Sequence, residues 1–266
     1  YPDYLSGVSL GRVAYETFLL TAKNDFLPDL DAIPEETARR AKFIYINYPN
    51  NPTGAVATKA FYEKLVAWAK TYEVGVVSDL AYGALGYRGY ENPSFLSTPG
   101  AKDVGIEFYT FSKTFNMAGW RLAFAAGNAR MIEALNLIQD HLFVGIFPAL
   151  QEAGIAALLD PKSEEAVAQL NAVYDSRRDA FTQSAAKIGW QAFPSKGSFY
   201  AWMPVPEGYT SESFADLLLE KAHVAVAPGK GFGPAGDAYV RIGLLVEPER
   251  LVEAVDRIAN LHLFNN

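Results

Sequence analysis

The sequence predicts an α/β protein with a large domain, its mostly parallel sheet covered by helices on both faces, and a smaller C-terminal α/β domain. Three observations carry this. Residues 1–160 alternate short apolar runs with segments of helical period, the order that builds a parallel sheet with crossover helices. Beyond a long helical stretch at 163–188 the pattern changes, and strand-like runs cluster around a short helix. The 266 residues are 50% hydrophobic and 20% charged, which is ample for a large core. The expected boundary divides 1–170 from 171–266.

In chain order, a helical piece around Tyr4–Gly11 is followed by Tyr15–Leu20 and a polar loop with Pro28 and Pro34. Lys42–Asn47 reads as a central strand that empties into the turn formers 48–54. Thr58 is placed to cap a helix whose Phe61, Leu65, Trp68 and Tyr72 share a face. Val74–Ser78 is the next strand, ending at Asp79, and the Gly-, Tyr- and Pro-rich stretch 80–100 reads as a surface loop. Two buried strands, one before Thr110 and one over Leu122–Ala126, flank a polar segment carrying Lys113. Helix then covers 129–160 with a break near Pro148. Ser163 starts a further helix with Leu170, Val173, Arg177 and Phe181 on one face, ended by Gly189. Strands at Ser198–Met203, Val224–Ala227 and Tyr239–Leu245, a helix at 211–222 and a last helix from Pro248 complete the chain.

Composition narrows the function. The net charge of −7 and the lack of a dense basic run argue against nucleic acid or an anionic membrane as partner. No stretch approaches the ~20 apolar residues of a membrane span, and these residues show no secretory signal pattern, so neither is expected. The absence of cysteine excludes disulfides and thiolate metal sites and fits a cytoplasmic protein. His141, His223 and His262 are far apart, so no metal site is expected. The chain opens on Tyr1 with no Met, in what reads as a turn, so this is not expected to be a natural N-terminus.

Four polar groups fall where strands of a parallel sheet should end: Asn51, Asp79, Lys113 and Arg121. Ligands of open α/β sheets bind at those carboxyl ends. Each alone has a plain explanation. Asn51 is a turn former, Asp79 can cap the following loop, Lys113 can reach water along its stem, and Tyr82 is one of 15 tyrosines. Arg241 lies inside an apolar strand, where an arginine needs an anionic partner that no sequence neighbour provides.

Taken together, Asn51-Pro-Thr-Gly54, Asp79-Leu-Ala-Tyr82, Ser112-Lys113 with Gly119-x-Arg121, and Arg241 closely resemble the pyridoxal-phosphate (PLP) aminotransferases of classes I and II. The resemblance runs from Tyr1 to the C-terminal helix and implies the aspartate-aminotransferase fold, PLP fold type I. It implies that Lys113 forms the Schiff base with PLP and shuttles the substrate Cα proton, because a lysine amine is nucleophilic when desolvated and basic when released. It further implies that Asp79 keeps the pyridine nitrogen protonated, and that Asn51 and Tyr82 hydrogen-bond the phenolic oxygen. Thr110, Ser112 and Arg121 would hold the phosphate, and Arg241 the substrate α-carboxylate as a two-pronged fork. Tyr1 falls at the family's ring-stacking aromatic. A homodimer acting on an amino acid and a 2-oxo acid follows from the same resemblance.

Two departures stand out. The family usually has Ser or Gly where Thr110 stands; the hydroxyl is kept, and with it the expected phosphate contact. The family's N-terminal third, which supplies the small-residue turn cradling the phosphate and a tyrosine for the partner's site, is not among these residues. The 266 residues alone are therefore expected to bind PLP weakly. Ile44–Gly54 and Phe108–Trp120 resemble most the LL-diaminopimelate aminotransferases, while Gln139–His141 and Pro228–Gly233 resemble bacterial transaminases of methionine salvage. Gly197–Tyr200, with Tyr15 and Tyr87, points to a neutral or apolar substrate side chain. A PLP-dependent lyase or synthase, and a non-catalytic aminotransferase-like regulatory module, remain as alternatives.

Overall fold

The structure, a computed structural model, describes residues 2–264. The first helix, α1 (Pro2–Leu10), leads through irregular chain to α2 (Glu35–Arg40) and strand β1 (Phe43–Asn47). Helix α3 (Lys59–Tyr72) follows, then β2 (Gly75–Asp79), the one-turn helix α4 (Ala101–Val104), β3 (Gly105–Thr110), a second single turn α5 (Phe111–Thr114) and β4 (Ala123–Gly127). Helices α6 (Ala129–Leu142), α7 (Pro148–Leu159) and α8 (Ser163–Lys187) come next. The chain ends with β5 (Tyr200–Pro204), α9 (Ser211–Leu217), β6 (Ala227–Pro228), β7 (Tyr239–Gly243) and α10 (Pro248–Ala259). No helix among the described residues is long and apolar enough to cross a membrane.

The chain divides into two compact units. One consists of Asp29–Pro49 and Val56–Asn171 and holds a four-stranded sheet in the order β1-β2-β3-β4. Strands β1, β2 and β3 run parallel, and β4 returns antiparallel to β3 with Thr110 opposite Ala123. The register sets Asn47 beside Asp79, and Asp79 beside Phe108, so the carboxyl ends of the parallel strands share one edge. Helix α3 forms where expected: the Thr58 hydroxyl accepts from Phe61 N at 3.1 Å, and Glu73 in the left-handed region ends it. Its buried stripe is Phe61, Tyr62, Leu65, Val66 and Ala69, while the half-buried Trp68 and Tyr72 pack together with their rings tilted by 51°. The break expected near Pro148 is present at 143–147, and Pro148 occupies the first position of α7, where its missing N–H costs nothing.

Three expectations for this unit need correction. β1 is an edge strand of the described sheet, with Ile44 and Ile46 buried and Phe43 and Tyr45 exposed, so it is not central. β4, expected to be buried, is also an edge strand, and Phe124 stays exposed although Tyr109 stacks on it at 5.2 Å. The stretch 80–100 is only in part a surface loop, with Arg88, Gly89 and Glu91 exposed. Leu80, Tyr82, Leu85, Tyr87 and Phe95 are all buried. Its backbone can go inside because polar side chains satisfy it: Asn92 Nδ2 donates to Gly83 O and Leu85 O, both at 3.1 Å.

The other unit consists of Tyr1–Pro28, Asn50–Ala55 and Ala172–Asn266. Its three-stranded sheet has the order β5-β7-β6, with both pairings antiparallel. Thr210 and Ser213 cap α9 reciprocally, and Pro248 opens α10, which buries Leu251, Val255 and Ile258. On the C-terminal part of α8 the buried residues are Tyr174, Phe181, Ser184 and Ala185; Val173, expected inside, is exposed, and Tyr174 takes its place by stacking on Phe199. Trp190 is enclosed by Phe181 and Phe214, and its indole N–H donates to Pro204 O at 2.7 Å.

Candidate active site

In the parallel-sheet unit, Asp79, Tyr82, Thr110, Ser112, Lys113 and Arg121 all lie at or just beyond the carboxyl ends of β2 and β3. Asp79 is half-buried at the last position of β2. Its Oδ1 accepts from Ala81 N at 3.1 Å, and its carbonyl accepts from Asn47 Nδ2 at 3.0 Å. The carboxylate thus caps the turn that follows it, and the turn brings Tyr82 into the core.

Thr110 ends β3 and caps the single turn α5 that carries Lys113. Its hydroxyl accepts from Ser112 N at 3.2 Å and lies 3.0 Å from Ser112 Oγ. Lys113 is half-buried between two anchored neighbours. Phe111 packs with Met117 and Leu122 in a small core against Ala153 and Ala157 of α7, while Thr114 shares a hydrogen bond of 2.7 Å with the Tyr109 hydroxyl. A Cβ on Gly154 of α7 would sit 2.7 Å from Leu122 Cδ2, so glycine is what lets α7 approach this core. The return to β4 is closed by Phe111 N donating to Leu122 O at 3.2 Å. Arg121 stands exposed in the left-handed region, φ 55°, with Nη1 donating to Ala118 O at 3.0 Å.

Asn51 and Arg241 belong to the antiparallel-sheet unit, and there they meet. Arg241 Nη1 donates to Asn51 Oδ1 at 2.8 Å. The expected anionic partner of Arg241 is therefore a neutral amide, supported by two rings: the guanidinium carbon lies over Tyr200 and Phe232, 4.2 and 4.7 Å from their centroids. The Asn51 turn is tied down at both ends. Asn50 Oδ1 accepts from Thr53 N and Oγ1 at 3.2 and 2.7 Å, and Ser195 Oγ donates to Gly54 O at 3.1 Å. Tyr1 lies outside the described residues.

Two residues escape sequence reasoning. Ser195 carries no motif and is found only by its place against Gly54. Glu107, in the middle of β3, is 5% exposed. Its carboxylate accepts from Ser78 Oγ at 3.0 Å, Phe95 N at 2.8 Å and Ser94 Oγ, which pins the end of the 80–95 excursion to the strand beside Asp79. Burial pushes its pKa above the usual carboxylate range, and the three hydrogen bonds partly oppose that. A single carboxylate inside an apolar run was the available signal.

Residues 1–258 match the family model described as aminotransferase class I and II. Over 264 residues the chain is 56% identical to the L-glutamine–4-(methylsulfanyl)-2-oxobutanoate aminotransferase of Bacillus subtilis, which covers 99% of this chain and 66% of that protein. It is 49% identical over 258 residues to the LL-diaminopimelate aminotransferase of Moorella thermoacetica, covering 97% of this chain and 66% of that protein. The apo structure of BacF from Bacillus subtilis superposes with a TM-score of 0.95 at 45% identity, covering 100% of this chain and 68% of that one. The chain thus spans 66% of the length of these curated relatives.

Proposed function

The chain belongs to the class I and II aminotransferases, and from that premise we propose that the whole protein is a PLP-dependent transaminase moving an amino group between an L-amino acid and a 2-oxo acid. The observation that carries this reading is the α5 turn. A half-buried lysine follows Ser112, whose hydroxyl lies 3.0 Å from that of Thr110, at the carboxyl end of β3 and in the same unit as the Asp79 carboxylate. That donor set fits a group with an aldehyde, a phosphate and a basic ring nitrogen. When bound, PLP supplies the electron sink that makes the substrate Cα–H acidic.

In this reading Lys113 is the Schiff-base residue and moves the proton at substrate Cα, its amine made nucleophilic by partial desolvation. Asp79 holds the proton at the ring nitrogen through its negative charge. Thr110, Ser112 and Arg121 donate to the phosphate, and Tyr82 and Asn51 donate to the phenolic oxygen. Arg241 orients the α-carboxylate. Tyr1 is proposed as the ring-stacking aromatic. A cytoplasmic homodimer is the proposed working state; the family resemblance supports the dimer, and the cysteine-free composition supports the compartment.

For the substrate we propose 4-(methylsulfanyl)-2-oxobutanoate as amino acceptor and glutamine as donor, as named in the relative at 56% identity. The test uses full-length protein loaded with PLP. The long-wavelength absorbance of lysine-bound PLP should be present in wild type, absent in Lys113→Ala, and lost on adding glutamine. A band that LL-diaminopimelate discharges and glutamine does not would overturn the substrate assignment; one that no amino donor discharges would overturn transamination.

A further inference from the structure

Arg241 sits in β7, the middle strand of its sheet, opposite Trp202 on β5 and Ala227 on β6. It is half-buried, and among the described residues no carboxylate pairs with it. The polar contact it makes takes one of five N–H donors, to Asn51 Oδ1. Its flat faces are where the rings lie. Tyr200, two residues before Trp202 on β5, approaches to 4.2 Å, and Phe232, the last residue of the 229–232 turn, to 4.7 Å. Neither ring is loose. Phe232 meets Trp202 edge-to-face at 6.0 Å, Trp202 stacks on Tyr239 at 5.1 Å, and Tyr200 packs against Phe199 at 4.8 Å.

We propose that Tyr200 and Phe232 are positioning residues: they hold the Arg241 guanidinium in one plane, so that its in-plane donors receive the substrate carboxylate as a fork. The proposal rests on the reading of Arg241 as the carboxylate-binding group. A guanidinium on a flexible stem has many rotamers, and a two-pronged bond to a carboxylate uses one orientation. Rings over the guanidinium attract it without competing for its N–H donors, which a carboxylate partner would do. Asn51 fixes the rotation within the plane by taking one donor. The cation is thus held by neutral groups, and its charge is kept for a ligand. Because an amino acid and a 2-oxo acid share the same carboxylate, the two rings should act equally on both half-reactions.

The test measures kcat and KM for donor and acceptor in full-length, PLP-loaded protein, with calorimetric titration of pentanoate as a readout independent of turnover. Phe232→Leu and Tyr200→Leu keep apolar bulk and remove the π face. Each should raise both KM values and the pentanoate Kd by roughly two- to thirtyfold with kcat changed less than about twofold. Phe232→Tyr and Tyr200→Phe should restore wild-type values. Leu variants with unchanged KM, alongside an Arg241→Lys variant with a raised one, would reject the role of the rings and leave the Arg241 reading standing. Unchanged KM and Kd in Arg241→Lys would reject that reading itself. A fall in kcat in the Leu variants with KM unmoved, or a loss of cooperative melting that the Tyr and Phe variants share, would also overturn the proposal.

Discussion

The turn around Lys113 and the turn around Asn51 are held in different ways. Around Lys113 the side-chain hydrogen bonds are mostly local, with one from Thr110 Oγ1 reaching Leu122 O across 12 residues. Thr110 and Ser112 are two residues apart, Ala118 and Arg121 three, and Tyr109 and Thr114 five. Around Asn51 the local bonds between Asn50 and Thr53 are joined by ones that span the chain: Arg241 is 190 residues away and Ser195 is 141 residues from Gly54. The reactive amine therefore rides on a piece of chain that largely specifies its own shape. The recognition charge is aimed by contacts that exist only once distant strands have paired, after the entropy of closing long loops has been met. A turn of the first kind leaves a short contiguous signature; one of the second kind leaves two unrelated fragments.

That contrast can be broken at several points. Lys113→Ala should have the largest effect, lowering kcat of full-length protein by at least about 10²–10⁴-fold from the lost proton transfer alone. Next comes Glu107→Ala, which strands Ser78 Oγ, Ser94 Oγ and Phe95 N in the core and should cost about 2–5 kcal/mol in chemical denaturation.

Glu107→Gln sharpens the same point through pH. The folded pKa of Glu107 lies above its unfolded value, so folding takes up a proton between the two. Its contribution to stability is fully present below the usual carboxylate value and falls as pH rises through the window up to the folded pKa. The stability of wild type minus that of Glu107→Gln should therefore decline across that window, and a flat or rising difference would contradict the assignment.

For the Asn51 turn, Gly54→Ala should cost roughly 1–3 kcal/mol, since φ is +69° and a Cβ there would overlap the Ser195 hydroxyl. Adding Ser195→Ala should recover only the part of the overlap due to the hydroxyl, since the Cβ of residue 195 would still lie 2.7 Å from the new methyl and the strain of the left-handed backbone stays, a non-additive pair read by a double-mutant cycle. Smallest is Thr110→Ala, about 0.5–2 kcal/mol from the lost cap of α5. If Thr110→Ala proved more damaging than Gly54→Ala, the view of the Lys113 turn as locally specified would fail.

The alternation of apolar runs and helical periods was enough to place nearly every strand and helix, including the long helix after Ser163. The Thr58 cap and the Lys113 segment were legible because caps, turns and side-chain periodicity are set within a few residues, and a short window contains the whole cause. The family motifs extended that to Asp79, Tyr82 and Arg121. Other features lay outside any window. That the apolar side chains of 80–95 turn inward depends on Asn92 and Glu107 meeting the backbone there. That Tyr174 and not Val173 faces inward depends on Phe199 being there to stack on. That Arg241 has an amide and two rings in place of a carboxylate depends on β5, β7 and the 50–55 turn lying side by side. Local shape follows from the chemistry of neighbours in the chain, whereas the partner of a half-buried charge is chosen by packing, which the sequence determines only through the whole fold at once.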